Sequence, residues 1–260
     1  IVSIALVLSI TIYDRANNRD VIRRLGLRLG MASLIGVVGI ITAIVVGITN
    51  GVDLTNVSEA FRVGAQANPK AYFLMTLLSL APLIGLAPMH VGLSELYSKV
   101  ASPFTAFSAS VLPLVGIVQL LRVRGVADLA VGDSGLWTGG VLLIFGLVTV
   151  IWNSLAIVRE TNYKKLFFQI SSLHIGLIIL ASGTGLAGMI PALMHITALC
   201  VVTCALFAVS GVLHATYKTT KLSGIKNMSH LLPAMSVALV VLTAGLLFVP
   251  VSSMFLSGMI

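Results

Sequence analysis

Charged residues are scarce in this chain of 260 residues. Asp, Glu, Lys and Arg together make up 9% of it, whereas 58% of its residues are hydrophobic and the mean hydropathy is +1.08. A soluble domain contains roughly 25% charged residues. So few charges cannot cover a water-exposed surface of this size, and the composition predicts an integral membrane protein. No Pro-, Gly- or Ser-rich linker interrupts the sequence, so we expect a single transmembrane domain over residues 1–260.

Cysteines and cofactor motifs are also nearly absent. The two cysteines, Cys200 and Cys204, lie four residues apart in one apolar segment. This spacing places both on one helix face, where a disulfide is geometrically unfavourable, and we interpret them as small core residues. The sequence has no ligand spacing typical of zinc, haem or iron–sulfur sites, no Walker motif and no dinucleotide-binding glycine motif. We therefore expect no metal, cofactor or redox site in this chain.

Long apolar segments are what the sequence does contain. A hydrocarbon core of about 30 Å requires roughly 20 apolar residues in a helix, and lipid offers no partners for free backbone groups. The segments that qualify, or nearly do, cover about residues 1–13, 29–49, 71–90, 104–121, 136–158, 166–188, 190–213 and 232–258. The predicted fold class is therefore an all-α membrane protein with about eight transmembrane helices.

The first of these segments is short, and the chain begins at Ile1 rather than at Met. Three interpretations stay open at this point. The N-terminus is processed, residues precede Ile1, or the chain is one piece of a split protein.

Lysine and arginine are distributed unevenly between the two sides of the predicted bundle. Alternating spans place four loops on one side, covering residues 14–28, 91–103, 159–165 and 214–231. These loops contain twelve of the sixteen basic residues, whereas the other side holds Arg62, Lys70, Arg122 and Arg124. This bias predicts that the basic side faces the cytoplasm or the mitochondrial matrix. The basic loops could also bind anionic phospholipids such as cardiolipin, but their dispersed charge does not indicate nucleic acid binding.

Prolines interrupt two of the predicted spans. The third span contains Gly85 and Pro88, and the last contains Pro250. Proline removes an intrahelical hydrogen bond and clashes with the preceding turn. A pair of interrupted spans in two halves of a membrane protein favours an inverted-repeat transporter fold, although two ordinary proline kinks explain the same pattern.

Ionisable residues within the predicted spans are limited to histidines. His90 ends the third span, His174 lies within the sixth and His195 begins the seventh; no Asp, Glu, Lys or Arg lies deep in any predicted span. Histidine exchanges protons near neutral pH, so these side chains are candidates for a proton path. A structural histidine bonded to a neighbouring carbonyl is the favoured interpretation of His174 and His195, and for His90, beside the interruption, the two interpretations are equally good. Glu95 and Lys99 follow the interruption, and their spacing allows a helix ion pair.

Two stretches resemble the antiporter-like membrane subunits of respiratory complex I. The first, residues 81–123, resembles the broken-helix region of that family through Pro88, His90, Pro103, Thr105, Ala106 and Phe107. The second, residues 153–180, resembles a further family segment through Asn153, Ala156, Asn162, Lys164, Lys165, His174 and Gly176. The last span resembles the second broken helix of the family through Pro250 and Phe255. The details are most similar to NADH dehydrogenase subunit 2, called subunit N in bacteria.

The departures from the family pattern concern its charged residues. The resemblance places three family lysines at positions that are here Leu83, Pro113 and Gly258, none of which exchanges protons. A family glutamate would fall at or before Ile1, and its partner lysine would fall near Leu25. The resemblance therefore implies a truncated subunit whose own proton channel is degenerate.

The resemblance implies a membrane-arm subunit of the proton-pumping NADH:ubiquinone oxidoreductase, with a largely structural role between neighbouring membrane subunits of the complex. Any remaining proton path would use His90, His174, Lys164, Lys165 and Glu95, with Pro88 and Pro250 at the helix breaks. NADH, FMN, iron–sulfur clusters and ubiquinone would be bound elsewhere in the complex. The implied location is the mitochondrial inner membrane, with a bacterial inner membrane as the alternative. An active proton-translocating subunit, a cation/proton antiporter or membrane hydrogenase subunit, and an unrelated transporter with broken helices stay open as other functions.

Overall fold

The computed structural model describes residues 19–53, 56–131 and 136–247, and these residues are almost entirely helical. The helices are α1 (Arg19–Thr49), α2 (Val57–Ala67), α3 (Pro69–Ile84), α4 (Val91–Lys99), α5 (Ser102–Val131), α6 (Leu136–Arg159), α7 (Tyr163–Gly183), α8 (Leu186–Tyr217), α9 (Met228–Leu231) and α10 (Pro233–Leu246). Within the described ranges, β pairing is limited to one isolated antiparallel bridge between Asn162 and Lys221. The predicted all-α fold class is confirmed.

Four of these helices are long and apolar enough to cross a bilayer: Ser102–Leu129, Leu136–Arg159, Tyr163–Gly183 and Ala187–Tyr217. Shorter apolar helices cover Leu34–Thr49, Pro69–Ile84 and Pro233–Leu246. Each predicted span after the first therefore corresponds to a helix. The predicted first span, 1–13, lies outside the described residues, as does Pro250 of the last.

The structure corrects the predicted boundaries around the fourth span. The sequence predicts this span over 104–121, whereas α5 continues to Val131, so that Arg122 and Arg124 lie in a helix rather than in a loop. The helix continues because Arg124 finds buried polar partners, described below. The predicted loop 91–103 also contains the helix α4, in which Glu95 and Lys99 form the expected ion pair at 3.6 Å.

The interruption of the third span is confirmed. Helix α3 ends at Ile84, Gly85 adopts a left-handed conformation with φ of +96°, and α4 begins six residues later at Val91. Two neighbouring helices bind the open backbone between them. The N–H of Ala87 donates to Oγ1 of Thr149 on α6 at 3.1 Å, and Oγ of Ser172 on α7 donates to the carbonyl of Gly85 at 2.6 Å.

Helix α7 is the centre of the bundle and packs against α4, α6 and α8. Its contact with α6 depends on glycine. A Cβ at Gly146 would lie 2.8 Å from the backbone N of Leu180 and 2.9 Å from the carbonyl O of Gly176, closer than real Cβ atoms approach backbone. Gly139, seven residues before Gly146 on α6, approaches Gly183, seven residues after Gly176 on α7, in the same way. Small residues permit such close backbone approach between membrane helices.

The short helix α2 lies between the apolar helices and carries an exposed ion pair. The guanidinium of Arg62 donates to the carboxylate of Glu59 at 2.5 and 3.0 Å. This hydrogen bond lowers the pKa of Glu59 below its usual value.

Candidate functional site: the polar interior around α7

Polar side chains line the buried faces of α7 from one end to the other. The helix begins after Asn162, whose side-chain oxygen accepts from the backbone N–H groups of Lys164 and Lys165 at 3.0 and 3.4 Å. From Lys164 to Ser182 the helix rises about 27 Å, at about 1.5 Å per residue, which is most of a hydrocarbon core of about 30 Å. The buried polar residues of this helix are Lys164, Gln169, Ser171, Ser172, His174 and Ser182.

One face of α7 forms a polar contact with α8. Nδ1 of His174 lies 3.1 Å from Nε2 of His195, and the two rings stack with centroids 5.3 Å apart. One turn towards the start of α7, the hydroxyl oxygens of Ser171 and Thr203 lie 3.1 Å apart. The sequence identified both histidines as separate candidates, and the structure joins them into one buried pair.

A second face of α7 contacts the interruption between α3 and α4. The ring of His90 stacks on Phe168 with centroids 5.9 Å apart. The backbone N–H of His90 donates to the carbonyl of Leu86. The His90 side chain is 2% exposed, and its Nδ1 has no hydrogen-bond partner among the residues that the structure describes. Because a neutral imidazole nitrogen can donate or accept, Nδ1 can bind a water molecule at the interruption.

Asn153 of α6 connects this face to the interruption. Its Nδ2 donates to the carbonyl of Thr149 at 2.8 Å and to Oγ of Ser172 at 2.9 Å. Thr149 and Ser172 are the residues that bind the backbone of the interruption. One buried polar network therefore positions the backbone of the interruption, and His90 is the last residue of that interruption before α4.

The remaining predicted residues lie near the basic end of the bundle. Nζ of Lys164 is buried and donates to the carbonyl of Val100 at 3.3 Å, whereas the side chain of Lys165 is half-buried. Glu95 is partly exposed and pairs with Lys99, not with a lysine of α7, in the ion pairs of the described residues. The structure therefore brings Lys164 into the interior and leaves Glu95 at the surface.

A buried charged cluster at the opposite end of the bundle was not predicted from the sequence. Arg124 of α5 is 2% exposed, and its Nε lies 3.3 Å from the carboxylate of Asp128 and 3.3 Å from Oγ1 of Thr138 on α6. The guanidinium also donates to the carbonyl of Ser182 at the end of α7, and Thr138 donates to Asp128. The i,i+4 spacing of Arg124 and Asp128 was the available signal. The apolar run ends before these two residues, so the sequence alone predicts a loop there.

The spacing of titratable groups along α7 limits what the interior can conduct. Ten residues, about 15 Å of helix, separate Lys164 from His174, and about 12 Å separates His174 from Ser182. Apart from Lys165, which directly follows Lys164, no titratable side chain of α7 lies within either interval. At the far end the fixed positive charge is Arg124, and arginine does not deprotonate in proteins. The titratable side chains along α7 are therefore Tyr163, Lys164 and Lys165 at its start and His174 near its middle.

Comparison with known proteins gives one family for the whole chain. The family model described as NADH:quinone oxidoreductase/Mrp antiporter, TM, matches residues 1–260.

Curated relatives are similar at lower coverage. A Hydrogenase-4 component F homolog of Methylacidiphilum infernorum is 24% identical over 186 residues, which is 71% of this chain and 39% of the relative. An NAD(P)H-quinone oxidoreductase chain 4 1 of Synechococcus is 25% identical over 206 residues, 77% and 37% of the two chains. An NADH-quinone oxidoreductase subunit N of Ectopseudomonas mendocina is 26% identical over 115 residues, which is 44% of this chain and 23% of the relative. The chain thus spans less than two fifths of the length of these relatives.

A solved structure has the same fold. A chain of the membrane-bound sulfane sulfur reductase, an archaeal respiratory membrane complex, superposes with a TM-score of 0.80 at 19% sequence identity. The superposition covers 96% of this chain and 51% of that chain.

Proposed function

We propose, because the chain belongs to the NADH:quinone oxidoreductase/Mrp antiporter transmembrane family, that it is a membrane-arm subunit of a complex I-type quinone oxidoreductase. In this role it connects neighbouring membrane subunits and has no complete proton channel of its own. NADH, FMN, iron–sulfur clusters and the quinone would be bound by other subunits. The finer assignment to subunit 2, or N, rests on the sequence resemblance described above.

The main support for a degenerate channel is the spacing of titratable groups along α7. None lies between Lys165 and His174, and none between His174 and Ser182. The resemblance adds two apolar positions. Leu83 is buried near the end of α3, and Pro113 lies inside α5, where related subunits would carry lysine. An aliphatic side chain and a proline cannot exchange protons, so both positions leave a proton path without a carrier.

The test is the number of protons translocated per electron pair in the purified, reconstituted complex. His90→Gln and His174→Gln retain hydrogen-bonding capacity but remove the imidazole, and His230→Gln, in an exposed residue, is the matched control. We expect all three variants to assemble and to give the stoichiometry of the wild type. A lower stoichiometry in the His90 or His174 variant alone would overturn the degenerate channel.

A gain-of-function experiment tests whether added lysines increase proton translocation. Leu83→Lys combined with Gly258→Lys restores two lysines that the resemblance assigns to the family. Under the proposal the double variant either translocates more protons per electron pair or fails to assemble because of the buried charge. A fully assembled double variant with the same stoichiometry would count against a channel that lacks only these groups.

A second candidate is a proton-translocating subunit of a membrane hydrogenase or cation/proton antiporter. The buried pair of His174 and His195 and the Hydrogenase-4 component F homolog among the relatives favour it. Co-purification distinguishes the candidates. NADH dehydrogenase subunits support the complex I assignment, and hydrogenase subunits support the second candidate.

We propose that the chain is a multi-pass protein of an energy-converting membrane. The relatives described above are bacterial, which favours a bacterial inner membrane over the mitochondrial inner membrane that the sequence resemblance suggested. Fractionation of the source membranes decides between them.

A further inference from the structure

An apolar groove lies between α8 and α10 on the outer surface of the bundle. It has a volume of about 580 Å³, and small or branched apolar side chains form its walls. The wall residues include Ala205, Ala208 and Val212 on α8, and Ala234, Ala238 and Val241 on α10. A groove of this size and lining suits a flexible hydrocarbon chain rather than a polar solute.

The groove lies within one leaflet of the membrane. Helix α8 has 32 residues and is about 48 Å long, so its ends extend beyond a hydrocarbon core of about 30 Å. Its C-terminal residue, Tyr217, therefore lies at headgroup level, where tyrosine is enriched. Ala205, the deepest wall residue on α8, is about 18 Å below Tyr217. On α10 the wall residues run from Ala234 to Leu242, and Leu246, one turn further along, is buried.

A basic loop lies at the headgroup end of the groove. Lys218 follows α8 directly, about 9 Å beyond Val212 along the helix direction, and Lys221 and Lys226 follow in the segment that leads to α10. All three lysines are exposed, and none of them takes part in the ion pairs found among the described residues. The hydroxyl of Tyr217 donates to the carbonyl of Lys226 at 2.9 Å and holds the loop against the end of α8.

No carboxylate competes for these lysines within the surrounding sequence. Residues 161–260 contain no Asp or Glu. The last acidic residue, Glu160, accepts from the backbone N–H groups of Thr161 and Asn162 and from Nε2 of Gln169. Lys221 bridges to Asn162, so Glu160 lies near the loop, but its carboxylate is bound by its own segment and forms no ion pair among the described residues. Three lysines beside one carboxylate leave the loop with a net positive charge.

From these observations we propose that the groove binds one anionic phospholipid, with an acyl chain between α8 and α10 and its phosphate at Lys218 and Lys221. The depth of the groove supports a lipid rather than a transmembrane helix of another subunit. A helix would need a contact surface through both leaflets, whereas the wall residues on α8 all lie within about 18 Å of Tyr217. The positive rim selects a negatively charged headgroup over a zwitterionic one.

The test measures lipid retained by the complex that contains the full chain. The complex is reconstituted in nanodiscs with equal amounts of phosphatidylglycerol and phosphatidylcholine and re-extracted, and bound lipid is counted by mass spectrometry. We expect about one tightly held phosphatidylglycerol per chain from this site. Ala208→Phe fills the groove and should abolish retention of this lipid. Cys204→Phe should not, because Cys204 lies outside the groove and is exposed, not part of the core as the sequence predicts.

A second pair of variants tests whether the lysines of the loop select the headgroup. Lys218→Gln with Lys221→Gln should lower the preference for phosphatidylglycerol by roughly tenfold or more. Lys99→Gln with Arg159→Gln removes the same charge on the same side of the membrane and should leave the preference unchanged. Equal retention of the two lipids by the wild type, or unchanged retention after Ala208→Phe, would overturn the proposal.

Replacing Ala208 with the photocrosslinker benzoylphenylalanine identifies the occupant directly. A crosslinked phospholipid supports the proposal. A crosslinked polypeptide in the assembled complex assigns the groove to a neighbouring subunit and refutes the lipid site.

Discussion

Nδ1 of His174 and Nε2 of His195 lie 3.1 Å apart in the buried contact between α7 and α8. A hydrogen bond between two imidazole nitrogens requires a donor N–H on one ring and a free lone pair on the other. At least one ring of this pair is therefore neutral. The pair links two membrane helices through a polar contact that lipid cannot replace.

We predict that these two histidines are energetically coupled. In a double-mutant cycle with His174→Leu and His195→Leu, the coupling energy should be about 1 kcal/mol, because one buried hydrogen bond is lost by either change. Thermal unfolding in detergent gives the free energies. A parallel cycle with His174→Leu and His230→Leu, which combines the buried residue with an exposed one, should be additive. Additivity in the first cycle would contradict the contact.

Arg124 should be the most sensitive charged residue of the bundle. Arg124→Gln leaves Asp128 and the carbonyl of Ser182 without their buried partner, and we expect a loss of about 3 kcal/mol in stability. Arg122→Gln, two residues away on the exposed face, should change stability by less than about 0.5 kcal/mol. Unfolding of the two purified variants provides the comparison, and equal effects would show that the buried cluster is unimportant.

The glycine contact between α6 and α7 gives a prediction within one helix. Gly146→Ala forces a methyl group against the backbone of Gly176 and Leu180 and should cost about 1–3 kcal/mol. Gly140→Ala, where nothing lies within 4 Å, should be neutral or slightly stabilising because alanine favours helix. The same unfolding measurement checks both, and a destabilised Gly140 variant would point to helix distortion as the cause.

The backbone of the interruption should depend on Thr149. Thr149→Val removes the acceptor of the Ala87 N–H, and an unpaired buried amide costs about 1–3 kcal/mol. Hydrogen exchange at Ala87 should become about tenfold faster or more. Thr197→Val removes a hydroxyl that bonds only within α8 and should leave this exchange rate unchanged. Slow exchange at Ala87 in the Thr149 variant would mean that another acceptor holds the break.

Local features of the fold were readable from the sequence. Apolar runs fix where helices lie in a bilayer, and Gly85 with Pro88 marks the interruption because both residues disfavour a continuous helix. The ion pair of Glu95 with Lys99 follows from i,i+4 spacing alone. Each of these depends on residues within a few positions of one another.

Contacts between distant segments were not readable. Arg124 interrupts an apolar run and was assigned to a loop, because its partners Thr138 and Ser182 come close only once α6 and α7 are packed. His174 and His195 lie on separate helices, and nothing in the sequence specifies that their faces meet. The glycine contacts between α6 and α7 depend on the register of two helices, which the sequence alone does not specify.

The buried polar side chains of α7 affect how the protein inserts into its membrane. A helix with a buried histidine near its middle and several buried hydroxyls is poorly accommodated in lipid alone, since a polar group without a hydrogen-bond partner costs roughly 2–7 kcal/mol in an apolar environment. Helix α6 has an apolar outer surface and precedes α7 by a turn of only three residues. The two would leave the translocon as a hairpin joined at their glycines, with α6 shielding α7 from lipid until the ribosome delivers α8.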